Sequence, residues 1–183
     1  MSKVCIFLAE GMEEIEALTV VDICRRAQID TKTVSITQDM MVTSSHAVKV
    51  EADMVLSEVD FDTLDMIVLP GGMPGTLNLE ACEPLMQKVE EFDKAGKYIA
   101  AICAAPSIFG HKGILEGKNA CCYPSFEEHL TGAVVSKKPV EVSGHVITSR
   151  GMGTAIDFAL QIVACLKGQP CADSIKEAII YQQ

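Results

Sequence analysis

The chain has 183 residues, 49% of them apolar, with 25 acidic against 15 basic side chains and no tryptophan. That length fits a single domain over residues 1–183, and the apolar share suffices for a core without metal or disulfide staples. An acidic chain without a cluster of Lys and Arg argues against nucleic acid or an anionic membrane as partner, and no apolar run approaches the roughly 20 residues of a membrane span.

Val4–Leu8 reads as a buried strand, too short to be a secretory signal and followed at once by Glu10. Glu13–Ala27 reads as a helix carrying apolar Ile15, Leu18, Val21 and Ile23, and the β-branched Thr31–Thr37 as a strand. Met41–Thr43 and Val48–Glu51 suggest a hairpin turning at Ser44–Ser45, and Met66–Leu69 a compact strand stopped by Pro70-Gly71-Gly72. Glu83–Ala95 is a helix closed by Gly96; Tyr98–Ile102 is the next strand, and Pro106–Lys112 continues into a helix. Asn119–Cys122 reads as a short strand, Val140–Val142 and His145–Ser149 as a hairpin across Ser143-Gly144, and Thr154–Lys167 and Ala172–Ile180 as closing helices.

Buried strands joined by helical crossovers imply one doubly wound α/β fold, its mostly parallel sheet covered by helices on both faces. Ligands gather at the carboxyl ends of strands in such folds. The loops to watch are therefore Ala9–Met12, Pro70–Gly75, Cys103–Pro106 and Ser149–Gly153. The eight cysteines contain no Cys-x-x-Cys pair, and several sit inside apolar runs as small hydrophobes. That usage suits a reducing, cytoplasmic compartment.

Cys103 stands apart. It ends an apolar strand, has the small residues Ala101 and Ala105 two positions to either side, and precedes Pro106 at a helix start. A turn that thrusts one side chain outward is crowded at those flanks, the steric logic of a nucleophile elbow. Exposure at a helix start is also what stabilises a thiolate. Gly71-Gly72, after the neighbouring strand, suits backbone N–H groups that approach a ligand, and with the N–H of Ala104 an oxyanion hole; a plain tight turn is the simpler alternative. Glu16 falls in line with Val20, Ile23 and Ala27, which places an acid in an apolar stripe. Burial there would raise its pKa and favour a protonated carboxyl able to donate to a thiolate. Equally, Glu13, Glu14 and Glu16 suit a helix N-terminus, and the residues alone leave both readings open. No histidine adjoins Cys103: His46, His111, His129 and His145 are scattered.

Glu-Glu-Ile-Glu (13–16), Val-Leu-Pro-Gly-Gly (68–72), Ala-Ala-Ile-Cys-Ala-Ala-Pro (100–106) and Thr-Ser-Arg-Gly-Met-Gly-Thr (148–154) together resemble the PfpI-like superfamily, in its parkinsonism-associated deglycase (DJ-one) branch, over essentially the whole chain. The resemblance implies a flavodoxin-like sandwich, a homodimer, and no cofactor. By position it makes Cys103 the nucleophile, Glu16 the carboxyl that hydrogen-bonds it, and the N–H groups of Gly72 and Ala104 the anion-binding pair. It matches Arg26 and Arg150 to arginines near the pocket or dimer interface, as substrate-binding residues. One position departs: Tyr123-Pro124 stands where the branch carries His-Pro. A phenol with an ordinary pKa near 10 is a poor base at neutral pH, though it donates hydrogen bonds. Relatives with peptidase or glutaminase chemistry carry His directly after the nucleophile, and Ala104 argues against both activities here. The expected activity is a cofactor-free glyoxalase or deglycase acting on methylglyoxal-type dicarbonyls or their protein adducts. A redox sensor oxidised at Cys103 is the second expectation.

Overall fold

The computed structural model describes residues 2–182. In chain order its elements are β1 (Lys3–Leu8), α1 (Glu14–Arg26), β2 (Asp30–Ser35), β3 (Met41–Thr43), β4 (Lys49–Glu51), β5 (Met54–Val55), β6 (Met66–Leu69), α2 (Gly75–Ala81) and α3 (Glu83–Ala95). There follow β7 (Tyr98–Ile102), α4 (Pro106–His111), β8 (Asn119–Ala120), β9 (Val134–Val135), β10 (Val140–Ser143), β11 (Val146–Ser149), α5 (Ala155–Lys167) and α6 (Gln169–Ala178).

β1 shows why the strands read as unbroken apolar runs. Successive side chains point to opposite faces of a strand. Val4, Ile6 and Leu8 enter an apolar cluster with α1, α5 and α6, while Cys5 and Phe7 enter a second with α2, α3 and α4. β7 divides the same way, with Ala100 and Ile102 in the first cluster and Ile99 and Ala101 in the second. A sheet buried on both faces tolerates no polar alternation.

Seven strands form this sheet in the order β10-β11-β7-β6-β1-β2-β5. Neighbours run parallel except in the β10–β11 hairpin. The inner order β2-β1-β6-β7-β11 is that of a flavodoxin-like fold, with the winding reversing between β1 and β6. The loops after β1, β6, β7 and β11 therefore open onto one crevice, and hydrogen bonds tie them together. Gly75 N–H donates to Gly11 O (3.1 Å), Glu13 N–H to Gly71 O (2.9 Å) and Cys103 N–H to Ser149 O (3.0 Å).

Two expectations need correction, and one helix is additional. The stretch 119–122 adds nothing to the main sheet: only Asn119–Ala120 is extended, paired with β9 in a separate two-stranded ladder. Residues 75–81 form α2, a helix too short to show a helical period in sequence. On α1, Ile15 and Leu18 face outward, and the buried stripe is Glu16, Ala17, Val20, Val21, Ile23 and Cys24. The helix turns its acid inward and leaves two large apolar residues exposed.

Candidate active site

Cys103 sits at φ +66°, in the left-handed region that non-glycine residues seldom occupy, at a cost of about 1–3 kcal/mol. Its surroundings hold it there. The Cys103 N–H is tied to Ser149 O, and its carbonyl accepts the Tyr123 N–H at 2.8 Å. Ala101, Ala104 and Ala105 pack around it without exposure to solvent, as the elbow pattern required. Ser107 Oγ donates to Ala104 O at 2.7 Å and secures the first turn of α4 behind Pro106. That helix has only six residues, so a macrodipole contributes little to the sulfur. Individual backbone donors do more.

Those donors are the N–H groups of Gly72 and Ala104, both near enough to the thiol to pull its pKa down. Gly71 does something the sequence did not indicate. Its N–H donates to Glu16 Oε2 at 2.9 Å, across 55 positions of chain. A Cβ on Gly71 would lie 2.5 Å from Cys103 Cβ and 2.8 Å from Glu16 Oε2. The missing side chain is the space in which the carboxyl and the thiol meet. Gly72, at φ +87°, has its own Cβ position blocked by the backbone of residues 11–13.

Glu16 is 1% exposed, which settles the two readings of its position in favour of burial. Burial pushes its pKa up to about 7, assisted by the charge of Glu13, while the Gly71 N–H and the Cys103 thiol pull it down. Burial likewise pushes the Cys103 thiol up to about 12, reinforced by the charge and hydrogen bonding of ionised Glu16 and opposed by the N–H groups of Gly72 and Ala104. Two of the effects holding the thiol protonated therefore vanish when Glu16 takes up a proton. The protonation of each group depends on that of the other, with burial of the thiol the largest effect throughout.

Tyr123 is half-exposed at the rim. Its ring lies against Gly151, where a Cβ would stand 3.3 Å from Tyr123 Cδ2 and 4.0 Å from Cys103 Sγ. Gly151 thus keeps the approach to the sulfur open. Burial raises the pKa of the Cys121 and Cys122 thiols, and the half-buried Arg150, the preceding residue, opposes this only in small part. Arg26 is not brought to the cysteine. It lies ten positions beyond Glu16, about 15 Å along α1, and pairs with Asp22 at 2.6 Å. Among the described residues no histidine hydrogen-bonds Cys103: His46 meets Glu14, His145 meets Asp93, and His111 and His129 meet each other.

A strained cysteine elbow with a buried carboxyl and paired backbone donors, at the carboxyl edge of a flavodoxin-like sheet, defines a class of α/β proteins with an activated thiol. The DJ-1/PfpI family profile matches residues 2–165, and the chain belongs to that family. It is 39% identical over 180 residues to Protein DJ-1 homolog B of Arabidopsis thaliana, covering 97% of this chain but 41% of the relative. The chain thus spans less than half the length of that relative. It is 31% identical over 167 residues to Glutathione-independent glyoxalase DJR-1.2 of Caenorhabditis elegans, covering 91% of this chain and 89% of the relative. Oxidized Toxoplasma gondii DJ-1 superposes with a TM-score of 0.95 at 34% identity and complete coverage of both chains.

Proposed function

We propose that this protein is a cofactor-free glyoxalase or deglycase that converts methylglyoxal-type dicarbonyls, or their early adducts on proteins, to 2-hydroxy acids. The observation that carries the reading is the Glu16–Cys103 pair, a buried carboxyl raised to about 7 beside a thiol with two backbone donors. The similarity to a glutathione-independent glyoxalase supports it. Cys103 Sγ bonds to the aldehyde carbon, and the carbonyl oxygen takes the Glu16 proton. The resulting carboxylate removes the hydrogen from that carbon and returns it to the neighbouring one through an enediol, leaving a thioester. One water then breaks the C–S bond, releasing the 2-hydroxy acid and the thiol. The aldehyde carbon is oxidised and its neighbour reduced, so no external redox partner enters. Gly72 and Ala104 would hold the developing oxyanion, and Arg150 and Tyr123 would orient the substrate at the rim. A single carboxyl serves every proton, so turnover is low. Lactate formation from methylglyoxal is expected to fall to background in Cys103→Ala; an unchanged rate overturns the assignment.

The donors facing the sulfur also favour a second role at the same residue, peroxide sensing, because they would hold sulfinate oxygens equally well. Intact-mass analysis after limiting peroxide is expected to place oxygen on Cys103 before the other thiols. As for assembly, exposed Ile15, Leu18 and Ile180 border a groove of about 600 Å³ that also includes Arg26. We read this face as the contact between two copies of the chain, which Leu18→Glu should separate in sedimentation. Among the described residues no helix is long and apolar enough to cross a membrane, and eight unpaired cysteines fit a cytoplasmic location.

A further inference from the structure

Away from Cys103, three side chains from separate elements converge on the α4 side of the sheet. Glu80 of α2 accepts from His111 Nδ1 at 2.6 Å, and His111 Nε2 faces His129 Nδ1 at 3.2 Å. The two rings stand edge to face, 5.2 Å between centroids. Tight backbone packing holds the arrangement: a Cβ on Gly110 would overlap the carbonyl oxygen of His129 and lie 2.9 Å from Leu130 Cα. Phe126 also packs against His129, with ring centroids 5.7 Å apart.

The hydrogen-bond inventory of imidazole constrains what this cluster holds. A neutral ring carries one N–H and one lone pair. With Nδ1–H of His111 given to Glu80, its Nε2 presents the lone pair, and the bond to His129 requires a proton on His129 Nδ1. Moving that proton to His129 Nε2, which faces Glu128 Oε1 at 3.9 Å, gives the other neutral tautomer and leaves two lone pairs at the same place. At Zn–N distances of 2.0–2.1 Å, nitrogens 3.2 Å apart subtend roughly 100° at the metal, close to the tetrahedral angle. A carboxylate behind a histidine, fixing its tautomer, is also the usual outer support of a metal-bound imidazole. Both rings are partly exposed, 40% and 42% at the side chain, which leaves the remaining positions to water.

We propose that His111 and His129, with Glu80 as positioning residue, form a binding site for a divalent late transition metal of the Zn²⁺ class, the ion taking the place of the hydrogen bond between the two neutral rings. The site is separate from the cysteine and does not depend on the dicarbonyl reading. Its place in the fold gives it a role. His129 N–H donates to Phe126 O and Phe126 N–H to Tyr123 O, so the ion would clamp the segment bearing Tyr123 onto the helix that starts at the elbow.

The test is titration of the whole chain with Zn²⁺ and Co²⁺, followed by calorimetry, visible absorption and thermal unfolding. One equivalent should bind and raise the melting temperature, and the Co²⁺ adduct should show no sulfur-to-cobalt charge-transfer band. His111→Ala and His129→Ala, both at partly exposed positions, should lose the equivalent and the thermal shift. Glu80→Gln should weaken binding by about 10–100-fold, and Cys103→Ala should leave binding unchanged. Binding that survives the double histidine variant, that disappears with Cys103→Ala, that brings a thiolate band, or that is absent at millimolar Zn²⁺ overturns the proposal.

Discussion

Cys24, in the last turn of α1, and Cys103, at the elbow after β7, are both thiols pushed up to about 12. At Cys24 burial is the whole cause, in a stripe packed among the apolar residues of α1 and α5. At Cys103 burial comes first, the charge of Glu16 adds to it, and two backbone N–H groups oppose it. The first thiol is inert because nothing near it can change. The second also faces a neighbour whose carboxyl is raised to about 7, so protonation of Glu16 removes part of what holds the thiol up, while burial remains. Resting acidity alone does not separate the two; the identity of the opposing groups does.

The sharpest way to break the comparison is alkylation. Iodoacetamide at pH 7.5 should modify Cys103 at least about a hundredfold faster than Cys24, which reacts only through opening of the fold. Peptide mapping at short times measures the ratio, and comparable rates would remove the distinction. Next comes Glu16→Gln, which keeps a hydrogen-bonding amide beside the sulfur but carries no transferable proton. Dicarbonyl turnover should fall about 10²–10⁴-fold while alkylation of Cys103 persists; loss of both would mean that Glu16 only shapes the elbow.

The same variant tests the electrostatics through stability. The folded pair releases its first proton near 7, where an unfolded glutamate does so near 4.5. Between those values the native chain holds a proton the unfolded chain has lost, so stability falls as pH rises through that window, by about 3 kcal/mol in all. Glu16→Gln should therefore be more stable than the parent at pH 8 and show no such gain at pH 4, as read by urea unfolding. Gly71→Ala should cost about 1–3 kcal/mol and reduce activity, because the added methyl enters the space shared by Glu16 and Cys103. The smallest effect is expected for Tyr123→Phe. Its hydroxyl makes no hydrogen bond among the described residues, so stability should change by less than about 0.5 kcal/mol.

Much of this could be read from local pattern. A strand buried on both faces must be apolar throughout, so β1, β6 and β7 announced themselves. An outward-thrust side chain needs small flanks, which Ala101 and Ala105 supplied around Cys103. The ladder of β8 with β9 and the short α2 were not legible, because each is too brief to establish a period.

By itself, then, the sequence determined the layered α/β architecture, the crevice loops and the elbow at Cys103, since these follow from side-chain periodicity and crowding along a few consecutive residues. Tertiary structure alone decided whether Glu16 was a solvated helix-end acid or a buried one. It also decided that Gly71 anchors that acid, that Arg26 lies far from the sulfur, and that His111 meets His129. The Glu16–Gly71 and His111–His129 meetings join separate parts of the chain, and the pKa of Glu16 depends on how completely the folded layers exclude water from it.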